Sequence, residues 1–147
     1  MYILFVVLAI IVCFLMAPGI SVIYFVDSVS LIILLLVTIP VLVSTGLLKD
    51  FNNAFKLGLS KKREATIREI KRAIEAVALF QKVIITTGIF SFLFCMVIIL
   101  LQQPEYEKLL ASIAVNILSP LYATVIALIL QPIEVRLKLR LQDMLHE

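Results

Sequence analysis

The chain has few of the side chains that catalysis and metal binding require. It contains one histidine, His146, and two cysteines, Cys13 and Cys95, which lie in separate apolar runs with no ligand spacing around them. The sequence also has no nucleotide-binding loop and no nucleophile beside a base. Neither an enzyme nor a protein with a metal or another cofactor is therefore expected.

Charge is scarce as well. Asp, Glu, Lys and Arg make up 16% of the residues and hydrophobic residues 63%, whereas a soluble domain has roughly a quarter charged and half apolar residues. This composition predicts a membrane protein. The net charge of +3 does not indicate a nucleic-acid partner, because the basic residues lie beside predicted membrane helix ends, where anionic lipid and topology account for them.

Four apolar runs occupy residues 1–26, 29–48, 83–101 and 109–130, and none has an Asp, Glu, Lys, Arg or His in its interior. About 20 apolar residues cross a bilayer as a helix. We therefore predict an all-α membrane protein with four transmembrane helices in two hairpins, residues 1–48 and 83–131. Asp27 is expected to cap the second helix, and the fourth is expected to stop at Gln131-Pro132.

The orientation of these helices follows from the segment 49–82, which holds nine of the 13 Lys and Arg residues. Positive residues in short loops mark the cytoplasmic side. With 49–82 in the cytoplasm, both termini are also predicted to be cytoplasmic. Residues 132–147 form a basic cytoplasmic tail, in which basic and apolar residues alternate; we interpret it as a helix on the membrane interface rather than a strand.

Within 49–82, apolar residues recur at helical spacing at Ile67, Ile70, Ile74 and Val77. No Gly or Pro interrupts this pattern before Gly88, so the third transmembrane helix is predicted to extend into the cytoplasm as one helix over residues 60–101. Most charges on the extension are expected to form a solvated face. The candidate cytoplasmic coupling surface consists of Arg63, Glu64, Arg68, Glu69, Lys71, Arg72 and Glu75.

Two strings, FVDSVSLIIL at residues 25–34 and LKDFNNAFK at residues 48–56, lie on either side of the second apolar run. Together they resemble the opening hairpin of the MotA/TolQ/ExbB proton-channel superfamily, most closely that of the MotA-type flagellar stator proteins, and the spacing between them needs no gap. Residues 118–123, LSPLYA, followed by Pro132-Ile133, are similar to the family's fourth-helix block.

The resemblance implies a multi-pass subunit of a bacterial inner (cytoplasmic) membrane complex that conducts protons or sodium ions. It implies a homopentameric ring around a MotB-like or ExbD-like single-span partner, whose Asp would be the titrating group. A cytoplasmic flagellar rotor would be a further partner. The segment 49–82 is too short, however, to contain the larger rotor-binding domain of the flagellar stators.

Small polar residues share faces of the third and fourth predicted helices. They either let the helix backbones approach closely or line an ion path. From the residues alone both interpretations stand, and the resemblance favours the second. The candidate lining residues are Thr87, Ser91, Asn116, Ser119 and Thr124.

Three positions differ from the family pattern. Phe92 and Pro120 stand where the family has threonines, and Leu36-Val37 replaces a glycine pair. A phenylalanine cannot coordinate an ion. The alternative function is therefore a non-conducting membrane scaffold, a ring that holds a partner protein or lipid.

Overall fold

The computed structural model describes residues 2–15, 27–59, 65–102 and 105–146. All regular structure in these ranges is α-helical, which confirms the predicted all-α class. The helices are α1 (Tyr2–Leu15), α2 (Ser28–Ser44), α3 (Leu48–Leu59), α4 (Ile67–Leu101), α5 (Tyr106–Asn116) and α6 (Leu118–His146).

Two helical segments are long and apolar enough to cross a membrane, namely Ile67–Leu101 and Tyr106–Leu145. α2 and α3 together would make a third if they are counted as one broken span. α1 is 14 residues long, and the rest of the first apolar run lies outside the described residues. The chain thus has two to three helices able to span a membrane, consistent with a membrane protein, and the four-span arrangement stays a prediction.

The second predicted helix ends earlier than expected, and the polar segment begins with a helix of its own. α2 stops at Ser44, where the Ser44 and Thr45 hydroxyls donate hydrogen bonds to the Val41 carbonyl. Gly46 then adopts a positive φ of 69°, a conformation that favours glycine. α3 leaves this turn at 101° to α2, and its buried face includes Ala54 and Leu57.

α4 confirms the prediction of one long helix that continues beyond the apolar run. It begins after Thr66, which forms a capping box with Glu69, and it is about 50 Å long at 1.5 Å per residue. Residues 60–64, where the start of this helix was predicted, lie outside the described residues.

The fourth predicted helix differs from expectation in two places. It divides at Ile117 into α5 and α6, and Pro120 lies in the first turn of α6, where its missing N–H costs no helical hydrogen bond. The predicted stop at Gln131-Pro132 is wrong, because α6 continues through Pro132 to His146. The tail is therefore helical, as predicted, but continuous with α6.

The side chain of Gln81 on α4 supports α6 next to Pro132. With its amide oriented to satisfy both atoms, the Gln81 oxygen accepts from the Gln131 N–H (3.1 Å) and the nitrogen donates to Glu134 Oε2 (2.8 Å). Glu134 also pairs with Lys138, at 2.6 Å between Oε1 and Nζ. A neighbouring helix thus provides polar partners at the proline, as membrane helices with prolines require.

One hydrophobic cluster joins the helices. It extends from Leu34 on α2 to Leu137 on α6, and includes Ala54 and Leu57 of α3 and Ile70 and Val77 of α4. α3, the first half of α4 and the second half of α6 pack together at one end of the molecule. We call this the basic end; the opposite end, where α2 starts and α4 finishes, is the Asp27 end.

Candidate functional site

α4 and α6 approach each other closely at Gly88 on α4. A Cβ atom there would lie 2.7 Å from the Ala123 Cβ, 3.2 Å from the Pro120 Cα and 3.3 Å from the Ser119 carbonyl oxygen. At these distances a side chain at position 88 would force its neighbours to shift. α4 and α6 are therefore in backbone contact at this level, as small residues permit in membrane helix pairs.

Polar side chains are buried around this contact. Thr87 and Ser91 on α4, Asn116 on α5 and Ser119 on α6 are each less than 10% exposed. The Asn116 side-chain nitrogen donates to the Phe92 carbonyl at 2.9 Å. The Ser119 hydroxyl is buried without a hydrogen-bond partner among the described residues, an arrangement that costs about 1–3 kcal/mol.

A cleft of about 510 Å³ lies at the Asp27 end between α2, α4 and α5. Its walls are mainly apolar. The polar and sulfur-containing side chains that line it are Asp27, Ser30, Ser91, Cys95, Ser112 and Asn116. It brings together two of the candidate lining residues, Ser91 and Asn116.

Asp27 is tied to three surrounding groups at the mouth of this cleft. Its carboxylate accepts from the Val29 N–H at 3.1 Å and from the Ser30 hydroxyl at 2.5 Å. Its backbone N–H donates to the Tyr122 hydroxyl at 2.7 Å. Asp27 therefore caps α2, as predicted, and also connects α2 to α6.

The other candidate lining residues lie elsewhere. Thr87 and Ser119 are buried but do not line the cleft. Thr124 is exposed on α6, and its hydroxyl donates to the Pro120 carbonyl at 2.5 Å. Helical phase placed Asn116 and Ser119 on one face of the fourth predicted helix, but of these two only Asn116 lines the cleft.

Sequence reasoning missed two residues of this region and one at the basic end. Ser30 and Tyr122 complete the contacts of Asp27. Glu134, whose side chain is 14% exposed, was missed because the helix was expected to end before it. The signal available for Tyr122 was its match to the family's Leu-Tyr pair, which does not predict a contact with Asp27.

The described part of the candidate coupling surface is exposed on the first half of α4. Arg68, Glu69, Lys71, Arg72 and Glu75 project into solvent, and Glu69 contributes to the capping box. Arg63 and Glu64 lie outside the described residues. Ion pairs in the described ranges include Lys108–Glu105 and Lys138–Glu134.

Comparisons with protein-family models, curated proteins and solved structures return no match to this chain.

The contacts of Asp27 make a direct prediction about stability. Asp27→Ala removes the acceptor for the first amides of α2, so we expect the free energy of unfolding to fall by about 1 kcal/mol. Thermal unfolding followed by circular dichroism in detergent measures this change. Asp27→Asn is the matched control, because asparagine also caps helices and should retain most of the stability; an equal loss in both variants would contradict a capping role.

Proposed function

We propose that this protein is a MotA-like subunit of an ion-driven complex in a bacterial inner membrane. In this proposal it forms a homopentameric ring and lines a path for protons or sodium ions around a single-span partner. The observation that supports the proposal most directly is the group of buried polar side chains around Gly88. In particular, the unpartnered Ser119 hydroxyl is available to a water, an ion or a partner group.

The need for a partner follows from the chemistry of the span. The apolar part of α4, residues 83–101, and the apolar part of α5 and α6, residues 109–130, carry no Asp, Glu, Lys, Arg or His. A bare charge in hydrocarbon costs several kcal/mol or more. A conducting complex would therefore need a carboxylate from another chain, and the resemblance points to the Asp of a MotB-like or ExbD-like helix.

The serious alternative is a non-conducting scaffold that holds a partner protein or lipid. Two observations favour it. Phe92 replaces a family threonine with a side chain that cannot bind an ion. Thr124, a candidate lining residue, is exposed and does not line the cleft that contains Ser91 and Asn116. Flux measurements distinguish the two functions.

The exposed charges of α4 would provide the coupling surface in either case. In a ring, the charged halves of five α4 helices would form a collar at the basic end, presenting Arg68, Lys71 and Arg72 against Glu75 of neighbouring subunits. Whether that collar contacts a flagellar rotor is tested by motility of cells that carry charge-reversed Arg68 and Lys71.

The test of conduction is co-expression with a MotB-like or ExbD-like single-span protein, while a fluorescent reporter follows internal pH. A leak that disappears when the partner's Asp is changed to Asn supports the proposal. Repeating the measurement with sodium-sensitive dye identifies the ion. If co-expression produces no leak of either ion while the two proteins co-purify, the scaffold function stands instead.

Ser119→Ala separates conduction from packing. Because the hydroxyl is buried without a partner, its removal should leave the thermal stability unchanged or raise it by about 1 kcal/mol. If the hydroxyl serves the ion path, flux should fall about tenfold, the equivalent of one hydrogen bond to a charged group.

The matched control is Thr86→Val. Thr86 is exposed, and its hydroxyl donates to the Lys82 carbonyl of its own helix at 2.8 Å. Its replacement should leave the ion flux unchanged and change the free energy of unfolding by no more than about 0.5 kcal/mol. Unchanged flux in Ser119→Ala would remove this residue from the path.

A further inference from the structure

A second groove, of about 490 Å³, runs between α1 and α6 near the basic end. Val6 lines it from α1. The residues from α6 lie on one face of that helix: Leu128, Gln131, Pro132, Val135, Arg136 and Leu139. One wall of the groove is therefore almost entirely apolar, and a single guanidinium provides its charge.

We propose that this groove binds an anionic glycerophospholipid, with the phosphate on Arg136 and an acyl chain along Leu128 and Val6. The inference goes beyond the proposed function, because it does not require ion conduction. It depends on the depth of Arg136 in the membrane, on the charge of its side chain and on the apolar surface that extends from it towards the centre of the span.

The depth of Arg136 follows from α4. The apolar part of α4 begins at Val83, directly after Gln81 and Lys82, so the hydrocarbon boundary lies at this level. Gln81 contacts both the Gln131 N–H and the Glu134 carboxylate on α6. Arg136 follows Glu134 by two residues, about 3 Å further along the helix axis, which is the depth of lipid phosphates.

The charge of Arg136 is available to a ligand. In the described ranges the carboxylate of Glu134 pairs with Lys138, and Arg136 has no ion pair. The side chain is half-buried against the groove, so its apolar stem packs while the guanidinium reaches the headgroup region. A guanidinium binds phosphate oxygens in a bidentate arrangement, which favours a phosphate over other anions.

The apolar part of the groove extends from Arg136 towards the centre of the span. Leu128 precedes Arg136 by two helical turns, about 12 Å, and remains 44% exposed. Pro132 lies between them and has no N–H, so it adds no polar donor to the groove. An acyl chain fits this surface; a soluble anion would leave it uncovered.

The experiment uses the full-length protein in nonionic detergent. Phosphatidylglycerol and phosphatidylcholine with identical acyl chains are titrated in, and native mass spectrometry counts the bound lipids. We expect the wild type to retain phosphatidylglycerol about tenfold more tightly than phosphatidylcholine, because the choline cation offsets the phosphate charge that Arg136 binds, whereas phosphatidylglycerol keeps a net negative charge. Arg136→Gln should abolish that preference.

Lys138→Gln is the matched control. It also removes one positive charge, two residues from Arg136, but the Lys138 side chain does not line the groove. It should keep the preference. Leu128→Trp fills the apolar part without changing charge and should reduce retention of both lipids, which tests the groove even if Arg136→Gln folds poorly.

Four results would overturn the proposal. They are an unchanged preference in Arg136→Gln, an equal loss in Lys138→Gln, full competition by inorganic phosphate, and a groove occupied by a second copy of the chain. The last would appear as a cysteine crosslink between Leu128→Cys protomers that added lipid does not diminish.

Discussion

Gly88→Ala is expected to lower the free energy of unfolding by about 2 kcal/mol. Overpacking a close contact costs about 1–3 kcal/mol, and the upper end applies because two of the three nearest atoms, the Pro120 Cα and the Ser119 carbonyl oxygen, belong to the backbone of α6. Alanine returns about 1 kcal/mol through its higher helix propensity. Thermal or SDS-induced unfolding in detergent, followed by circular dichroism, measures the difference.

The matched control is Gly58→Ala on α3. A Cβ atom there would meet one side-chain methyl group, the Ile133 Cγ2, at 2.9 Å, and the nearest backbone atom among its three closest neighbours lies at 3.9 Å. Its cost should be below about 1 kcal/mol, because the overpacking involves one methyl group and the higher helix propensity of alanine offsets part of it. If the two variants lose equal stability, the backbone contact between α4 and α6 is not the reason for glycine at position 88.

Gly88→Ala should also affect flux in the proposed complex. Separating α4 from α6 moves Ser119 away from Ser91 and Asn116. We therefore expect this variant to lose both ion flux and stability. Ser119→Ala, in contrast, should reduce flux alone. The two variants therefore distinguish a damaged helix contact from a lost polar group.

Leu137→Ala is expected to be the most destabilising substitution at the basic end, by about 3 kcal/mol. Leu137 is completely buried in the cluster that includes Leu57 and Ile70, and truncating a buried leucine costs about 2–5 kcal/mol. The effect should be large here because the charged half of α4 lies beside this cluster, in water, where hydrophobic burial stabilises. Within lipid that driving force between helices is absent.

Leu145→Ala provides the comparison on the same helix. Leu145 is 59% exposed, so the free energy of unfolding should change by no more than about 0.5 kcal/mol. Urea titration in detergent suits this pair, because urea acts on the water-exposed end. A small loss in Leu137→Ala would indicate that α6 does not pack stably on α3 and α4.

The sequence predicted the features that depend on local chemistry. Apolar runs gave the helical class, the spacing of Ile67, Ile70 and Ile74 predicted the extension of α4, and an aspartate before an apolar run predicted the cap of α2. These features follow from residues close together in the chain, where periodicity and hydrogen-bonding capacity are visible without a fold.

Predictions from the sequence were wrong where a residue distant in the chain compensates for a local helix-ending residue. Pro132 was expected to end the fourth helix, but Gln81 on α4 contacts the Gln131 N–H and Glu134 and supports the helix through it. The helix α3 was missed because it is short, and its apolar face is stabilised by α4 and α6 rather than by its own propensity.

The candidate lining residues also show which features the sequence predicts and which depend on the fold. Their type and helical phase could be read from the sequence, and Ser91 and Asn116 do line one cleft. Which of them share that cleft depends on how α2, α4 and α5 pack around it, and that packing is not visible in the sequence.

The sequence by itself determined a helical chain with apolar segments long enough to cross a membrane and with most of its positive charge in one segment, because the cost of burying charge in hydrocarbon acts on composition alone. Only the tertiary structure decided that Gly88 brings two backbones together, that Ser119 is buried without a partner, and that Arg136 faces an apolar groove. These features are distances between residues far apart in the chain, and they depend on the packing of α1, α4 and α6.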